Sequence, residues 1–184
     1  MNYKDLILFL TALLCFQPHP NAQRIIRVEA KWLDSFREWT IETDSSDIKG
    51  SISATWALAD DWTEWQFEFG ENTGTMKLKF PPDQNLWEFR SGNEVLTART
   101  MWSNDLSEWR FSDGERIIQF KLKRDAPPFV WFSEGERQGF IDIYTEYEQD
   151  PSVWLVEDQL HDDISSLYRM AMIFIAIYQS SPKF

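Results

Sequence analysis

The stretch Asp162-Asp-Ile-Ser-Ser-Leu-Tyr-Arg-Met-Ala-Met-Ile-Phe-Ile-Ala-Ile-Tyr-Gln-Ser-Ser-Pro182 is unlike everything before it. Between Ile164 and Tyr178 only Ser165, Ser166 and Arg169 are neither apolar nor aromatic, and from Met170 to Tyr178 nothing polar interrupts. Nine successive apolar residues cover every side of a helix. Asp162 and Asp163 offer an N-cap and acidic charge at the positive end of its dipole, while Ser180, Ser181 and Pro182 stop it, so the pattern predicts a helix over about 162–178. Ile164 to Tyr178 would extend about 22 Å, short of a hydrocarbon core of about 30 Å. A helix apolar all round must then be surrounded by the protein itself. A central strand and a membrane-inserted tail compete with this reading; the caps, the Met and Ala content and the length favour the helix.

What precedes it reads as many short strands. From Phe36 onward polar breaks recur at Asp44 to Asp47, Asp60-Asp61, Gly70 to Gly74, Pro81 to Asp83, Ser91 to Asn93, Ser112 to Gly114 and Asp125 to Pro128. Between breaks the period is two: Trp65, Phe67 and Phe69 alternate with Glu64, Gln66 and Glu68, and Met76, Leu78 and Phe80 alternate with Thr75, Lys77 and Lys79, a hairpin. Trp87 with Phe89, Trp109 with Phe111, Ile118 with Phe120 and Leu122, and Ile141 with Ile143 continue the inward series. Such alternation belongs to antiparallel strands with one face on a core and one in water. Acid–aromatic units recur at Phe36 to Trp39, Trp62 to Trp65, Leu86 to Arg90 and Leu106 to Phe111, suggesting repeated hairpins. The simplest enclosure for the helix is this sheet curled round it as a barrel.

The chain has 184 residues, 43% hydrophobic and 16% aromatic, enough for one core, and no composition shift divides it after the start. Its net charge of -12 opposes the phosphate neutralisation that nucleic-acid binding requires. Met1 to Lys4, the apolar run Leu6 to Phe16 and the polar Gln17 to Gln23 form the three parts of a secretory signal, with cleavage expected between Ala22 and Gln23. The only cysteine, Cys15, is a candidate for lipidation, although Leu14 before it departs from the small residue of lipoprotein signals. Membrane association is expected only from that lipid or an uncleaved signal. The remaining domain, 23–184, has no cysteine for a disulfide and no Asn-x-Ser/Thr acceptor, which points to a bacterial periplasm or cell surface.

Roughly a dozen strands closing in DDISSLYRMAMIFIAIY resemble the tubby C-terminal-like superfold, which includes the tubby, plant LURP-one-related and phospholipid scramblase families. The resemblance spans about Arg24 to Tyr178 and rests on element order. It implies a closed barrel of about twelve strands around a hydrophobic C-terminal helix. Tubby-like members are associated with phosphoinositides and scramblases with membranes. Here Lys77, Lys79, Lys121, Lys123 and Arg124 are scattered in an acidic chain, so the resemblance carries the fold and not a headgroup site. A lipocalin-like barrel is the rival, but no Gly-x-Trp stands near Gln23.

The catalytic inventory is thin. His161 is the only histidine after the signal, and no Gly-x-Ser-x-Gly elbow accompanies it. Helical spacing could gather Glu157, Asp158 and His161 as metal ligands beside Asp162 and Asp163, yet acidic residues also belong at a helix start. Thirty acids make glycosidase-like pairs inevitable by chance. Trp32, Trp62, Trp102 and Trp154 fit the inward alternation least and are the candidates for an exposed, sugar-stacking surface. The expectation is an antiparallel β-barrel of about 10–12 strands enclosing its C-terminal helix. It is expected to act as a non-enzymatic interaction or scaffold module for a protein or surface ligand, with no cofactor. A carbohydrate-binding or glycan-hydrolysing module and a lipid-binding barrel are the alternatives.

Overall fold

A computed structural model describes residues 23–45, 47–56, 59, 61–123, 129–134 and 137–183, and for Glu134 only its backbone. The expected signal, with Cys15 and the 22/23 junction, lies outside the described residues, as do Asp60, Arg124 and the Asp125 to Pro128 break. Among the described residues twelve strands precede a helix: β1 (Ile25–Ala30), β2 (Glu38–Thr43), β3 (Lys49–Ala54), β4 (Glu64–Phe69), β5 (Asn72–Phe80), β6 (Asp83–Ser91), β7 (Glu94–Trp102), β8 (Asp105–Ser112), β9 (Ile117–Lys123), β10 (Val130–Glu134), β11 (Ile141–Tyr147), β12 (Asp150–Asp158) and α1 (Ser166–Ser180). Each strand pairs antiparallel with its sequence neighbours. β12 returns to β1, with Arg27 opposite Leu155 and Val28 opposite Trp154, and closes the barrel.

The alternation decides which face turns inward. Trp65, Phe67 and Phe69 are buried, and Phe69 opposite Asn72 closes the β4–β5 hairpin through Gly70, whose φ of +58° suits glycine. Gly74, expected in the break, instead lies within β5, where the Phe67 ring covers the space a side chain would fill.

The recurring acid–aromatic units acquire a common structure. Trp39, Trp65, Trp87, Trp109, Trp131 and Trp154 occupy the even-numbered strands and are buried together in the core. Four of their indoles donate to the carbonyl three residues back: Trp39 to Phe36 (2.9 Å), Trp65 to Trp62 (3.0 Å), Trp109 to Leu106 (2.8 Å) and Trp154 to Pro151 (2.8 Å). Four residues before a tryptophan, Asp61, Asp83, Asp105 and Asp150 each accept from the backbone N–H two positions on, at Thr63, Asn85, Ser107 and Ser152. The Asx turns at Asp83, Asp105 and Asp150 hold an irregularity in the ladder. Leu78 faces Trp87 but Phe80 faces Asp83, and the same shift separates Thr100 and Trp102 from Trp109 and Asp105, and Thr145 and Tyr147 from Trp154 and Asp150. Three residues of the even strand therefore oppose one of the odd strand, a bulge clasped by a carboxylate at one end and in β8 and β12 by an indole at the other.

Twelve strands about 4.8 Å apart and tilted by about 40° give a barrel radius of about 12 Å, while packed layers sit about 10 Å apart, so the lumen accepts one helix. All of α1 from Leu167 to Tyr178 is buried. Phe174 meets Trp65, Trp87 and Phe89 edge-on at 5.4, 4.8 and 5.9 Å, the arrangement ring quadrupoles favour. The helix begins at Ser166, later than the sequence predicts, with Ser165 as an extended N-cap and Asp162 and Asp163 in the preceding turn. The delay has a cause in the buried Arg169. Its Nε donates to Asp158 Oδ2 (2.8 Å), Nη1 to the Ile164 carbonyl, and Nη2 to the carbonyls of Leu160 and His161 (3.2 Å each). Residues 159–165 wrap this guanidinium, which turns the chain from the end of β12 into the lumen.

Candidate functional site

The connections from odd to even strands gather at one end of the barrel, where α1 also finishes and Trp131 donates to Ser180 Oγ (3.0 Å). That rim carries exposed aromatics. Trp32 is 50% exposed and Trp56 54%, in the β1–β2 and β3–β4 connections; Phe80 is 63%, Trp102 64% and Tyr147 60%, at the ends of β5, β7 and β11. Among the described residues, every such connection except β9–β10 bears one. Leu33 and Met101 add aliphatic surface beside Trp32 and Trp102.

At the ends of β5, β7 and β11 the bulges explain the exposure. Alternation along β5 would turn Phe80 inward after Met76 and Leu78, along β7 Trp102 after Leu96, Ala98 and Thr100, and along β11 Tyr147 after Ile141, Ile143 and Thr145. The shift beside each tryptophan breaks the alternation one step before the turn, and the aromatic faces solvent opposite Asp83, Asp105 or Asp150. Phe80 is thus outside, against the expectation. So is Trp154's placement corrected: its Asx-turned bulge brings it fully inside to stack near Phe129 (6.3 Å). Trp32 and Trp102 are exposed as expected, whereas Trp62 is half-buried, under the Arg37 guanidinium (4.5 Å) and edge-on to Tyr178 (6.5 Å). Trp56 was not singled out by the sequence.

Charge at this rim is held in place. The Thr63 hydroxyl and backbone N–H hold the Asp61 carboxyl below the usual carboxylate range, and Ser152 does the same for Asp150. Burial, with the charge of Asp61, pushes the Tyr178 hydroxyl up to about 12. Lys183 lies over the Tyr178 ring (4.2 Å) and donates to its carbonyl (2.9 Å), and burial lowers its pKa.

At the opposite end, around the start of α1, a cleft of about 750 Å³ is lined by Glu94, Asp113, Arg116, Asp163 and Tyr168 among others. Arg116 binds Asp163 (2.8 Å), and the Tyr168 hydroxyl donates to the Arg116 carbonyl (3.2 Å). The proposed ligands do not converge there. Strand alternation puts Glu157 outside and Asp158 inside against Arg169, and exposed His161 offers only its carbonyl to that guanidinium. Among the described residues no group of His, Cys, Asp and Glu is placed to hold a metal ion.

Fold and rim together define the chain as a closed twelve-stranded antiparallel barrel built round a helical axle, with aromatics displayed at one end. Compared with protein families, curated proteins and solved structures, it matches none.

Proposed function

We propose that the chain is a non-enzymatic, extracytoplasmic binding module of tubby-like build, and that the aromatic rim is its working surface. One observation carries this: the same bulge turns Phe80, Trp102 and Tyr147 out of the alternation that would have buried them. Large apolar side chains held in water at a common place are the mark of a surface that is covered in use. Aromatics are also the side chains that dominate binding energy at interfaces. A lipid held inside the barrel is disfavoured because α1 fills the lumen. A carbohydrate partner would draw on the same indoles and is resolved by the same experiment.

The test compares wild type with W32S/F80S/W102S/Y147S and with E68Q on the barrel wall. Fluorescence titration against a glycan panel and lipid vesicles, with sedimentation for self-association, reads the binding. Binding that survives the rim variant and is lost in E68Q overturns the proposal. N-terminal sequencing of the mature protein checks the compartment; an N-terminus at Met1 refutes export with cleavage.

A further inference from the structure

We infer that the partner of the rim is a lipid bilayer of zwitterionic, phosphatidylcholine-like headgroups that present a quaternary ammonium outermost, into which the ring of aromatics inserts; this rests on the rim being the working surface. Three features select that occupant.

The first is planarity. Phe80, Trp102 and Tyr147 hold one register position, each the last residue of its odd strand and opposite the first residue of the next. Equivalent positions around a closed barrel lie at one level. Two strand spacings of about 4.8 Å, widened by a tilt of about 40°, put neighbouring positions about 12 Å apart. Tyr147 stands four strands from Trp102, farther still, so a flat, laterally continuous partner engages the three together where a single sugar ring does not. The second is composition. Trp, Tyr and Phe with Leu33 and Met101 make the mixture that partitions into the headgroup and upper acyl region, apolar in body with polar handles on Trp and Tyr.

The third is charge. Each of the three aromatics stands opposite a carboxylate, Asp83, Asp105 or Asp150, and Asp150 is held ionised by Ser152. An aromatic face beside a carboxylate is the arrangement that receives a quaternary ammonium group. The chain as a whole carries a charge of -12, which repels an anionic surface. Choline-type headgroups place their cation outermost, so attraction and apolar insertion act in the same direction.

The test uses the full chain with phosphatidylcholine vesicles brominated in the acyl chains. Residues 1–22 contain no tryptophan, so indole quenching reports on the barrel whatever the N-terminal segment does. Wild-type emission is expected to be quenched, and quenching to fall at least threefold in W32S/F80S/W102S/Y147S at an unchanged melting temperature. A second variant, F80W, adds a reporter at the rim and is expected to raise the quenched fraction. Replacing phosphatidylcholine with phosphatidylglycerol is expected to weaken wild-type quenching at least fivefold, with the loss reduced in high salt. Unquenched wild-type indoles, equal quenching in the rim variant, or preference for phosphatidylglycerol each overturn the bilayer. If vesicles fail while the rim variant abolishes glycan binding or self-association, the rim stands and the bilayer falls. If wild type and variant agree in all three assays, both fall.

Discussion

Arg169 is the one charged side chain of α1, and its removal tests how the helix is installed in the barrel. Its side chain is 3% exposed and that of its partner Asp158 0%. Among the described residues the Asp158 carboxylate is otherwise bonded by the Leu160 N–H (3.1 Å) alone. Arg169→Met leaves that carboxylate buried without a counter-charge and strips a donor from the carbonyls of Leu160, His161 and Ile164. Breaking one side of a buried pair costs about 3–5 kcal/mol, a large share of the total stability of about 5–15 kcal/mol. For a chain of this size that is a loss of about 10–15 °C in melting temperature. Asp158→Asn strands the guanidinium instead, but leaves its carbonyl acceptors, so about 3 kcal/mol is expected. The double variant removes both charges and should cost at least 2 kcal/mol less than the two single losses together. Urea unfolding followed by tryptophan fluorescence measures all three. Singles within about 0.5 kcal/mol of wild type, or strictly additive losses, would show that Arg169 does not clamp the turn from β12 into the lumen.

Other perturbations read other parts of the barrel. Ile173→Asp places an unpaired charge on the axle, and loss of the cooperative melt by circular dichroism is expected; a wild-type melt refutes enclosure of α1. Trp109→Phe and Trp87→Phe remove the same ring volume. Only Trp109 donates from its indole, whereas the Trp87 N–H is buried without a partner among the described residues, so Trp109→Phe should cost about 1 kcal/mol more, and equal losses would discount the bulge clasp. Burial, then the charge of Glu157 directly opposite, raises the Asp142 carboxyl above the ordinary 3.8. The folded state binds that proton more tightly than the unfolded chain, so stability declines as pH rises from 3.8 through the raised value, and the penalty persists at neutral pH. Asp142→Asn should therefore gain about 0.5 kcal/mol at pH 7 and nothing below 3.8; a loss at pH 7 contradicts the repulsion.

The barrel was legible because burial on one face imposes a period of two, and Trp65, Phe67, Phe89 and Phe111 obey it. The axle was legible because Met170 to Tyr178 leaves no polar side. The rim was not, since Phe80 keeps the alternation as a string of letters and loses it only where β6 supplies three residues against one. Trp154 failed in the opposite sense: its neighbour Val153 is also buried, so no alternation marked it as core. A local cue existed in Asp61, Asp83, Asp105 and Asp150, each four residues ahead of a tryptophan, but grouping by acid–aromatic dipeptides concealed that offset. The helix start was misplaced because acids near a helix terminus usually serve its dipole. Here Asp163 serves Arg116 instead, a partner remote in sequence.

The seam between β1 and β12 sets terms for how this molecule comes into being. Arg27 must wait for Leu155 before the cylinder can shut, and the axle follows later still in the chain. During synthesis, six tryptophans destined for the interior have nothing to lean on until the final turns emerge, a topology that assembles slowly and exposes sticky intermediates to aggregation. No half of it is self-sufficient. A premature stop ahead of Ser166 should therefore yield a substrate for chaperones and proteases in place of a hollow cylinder.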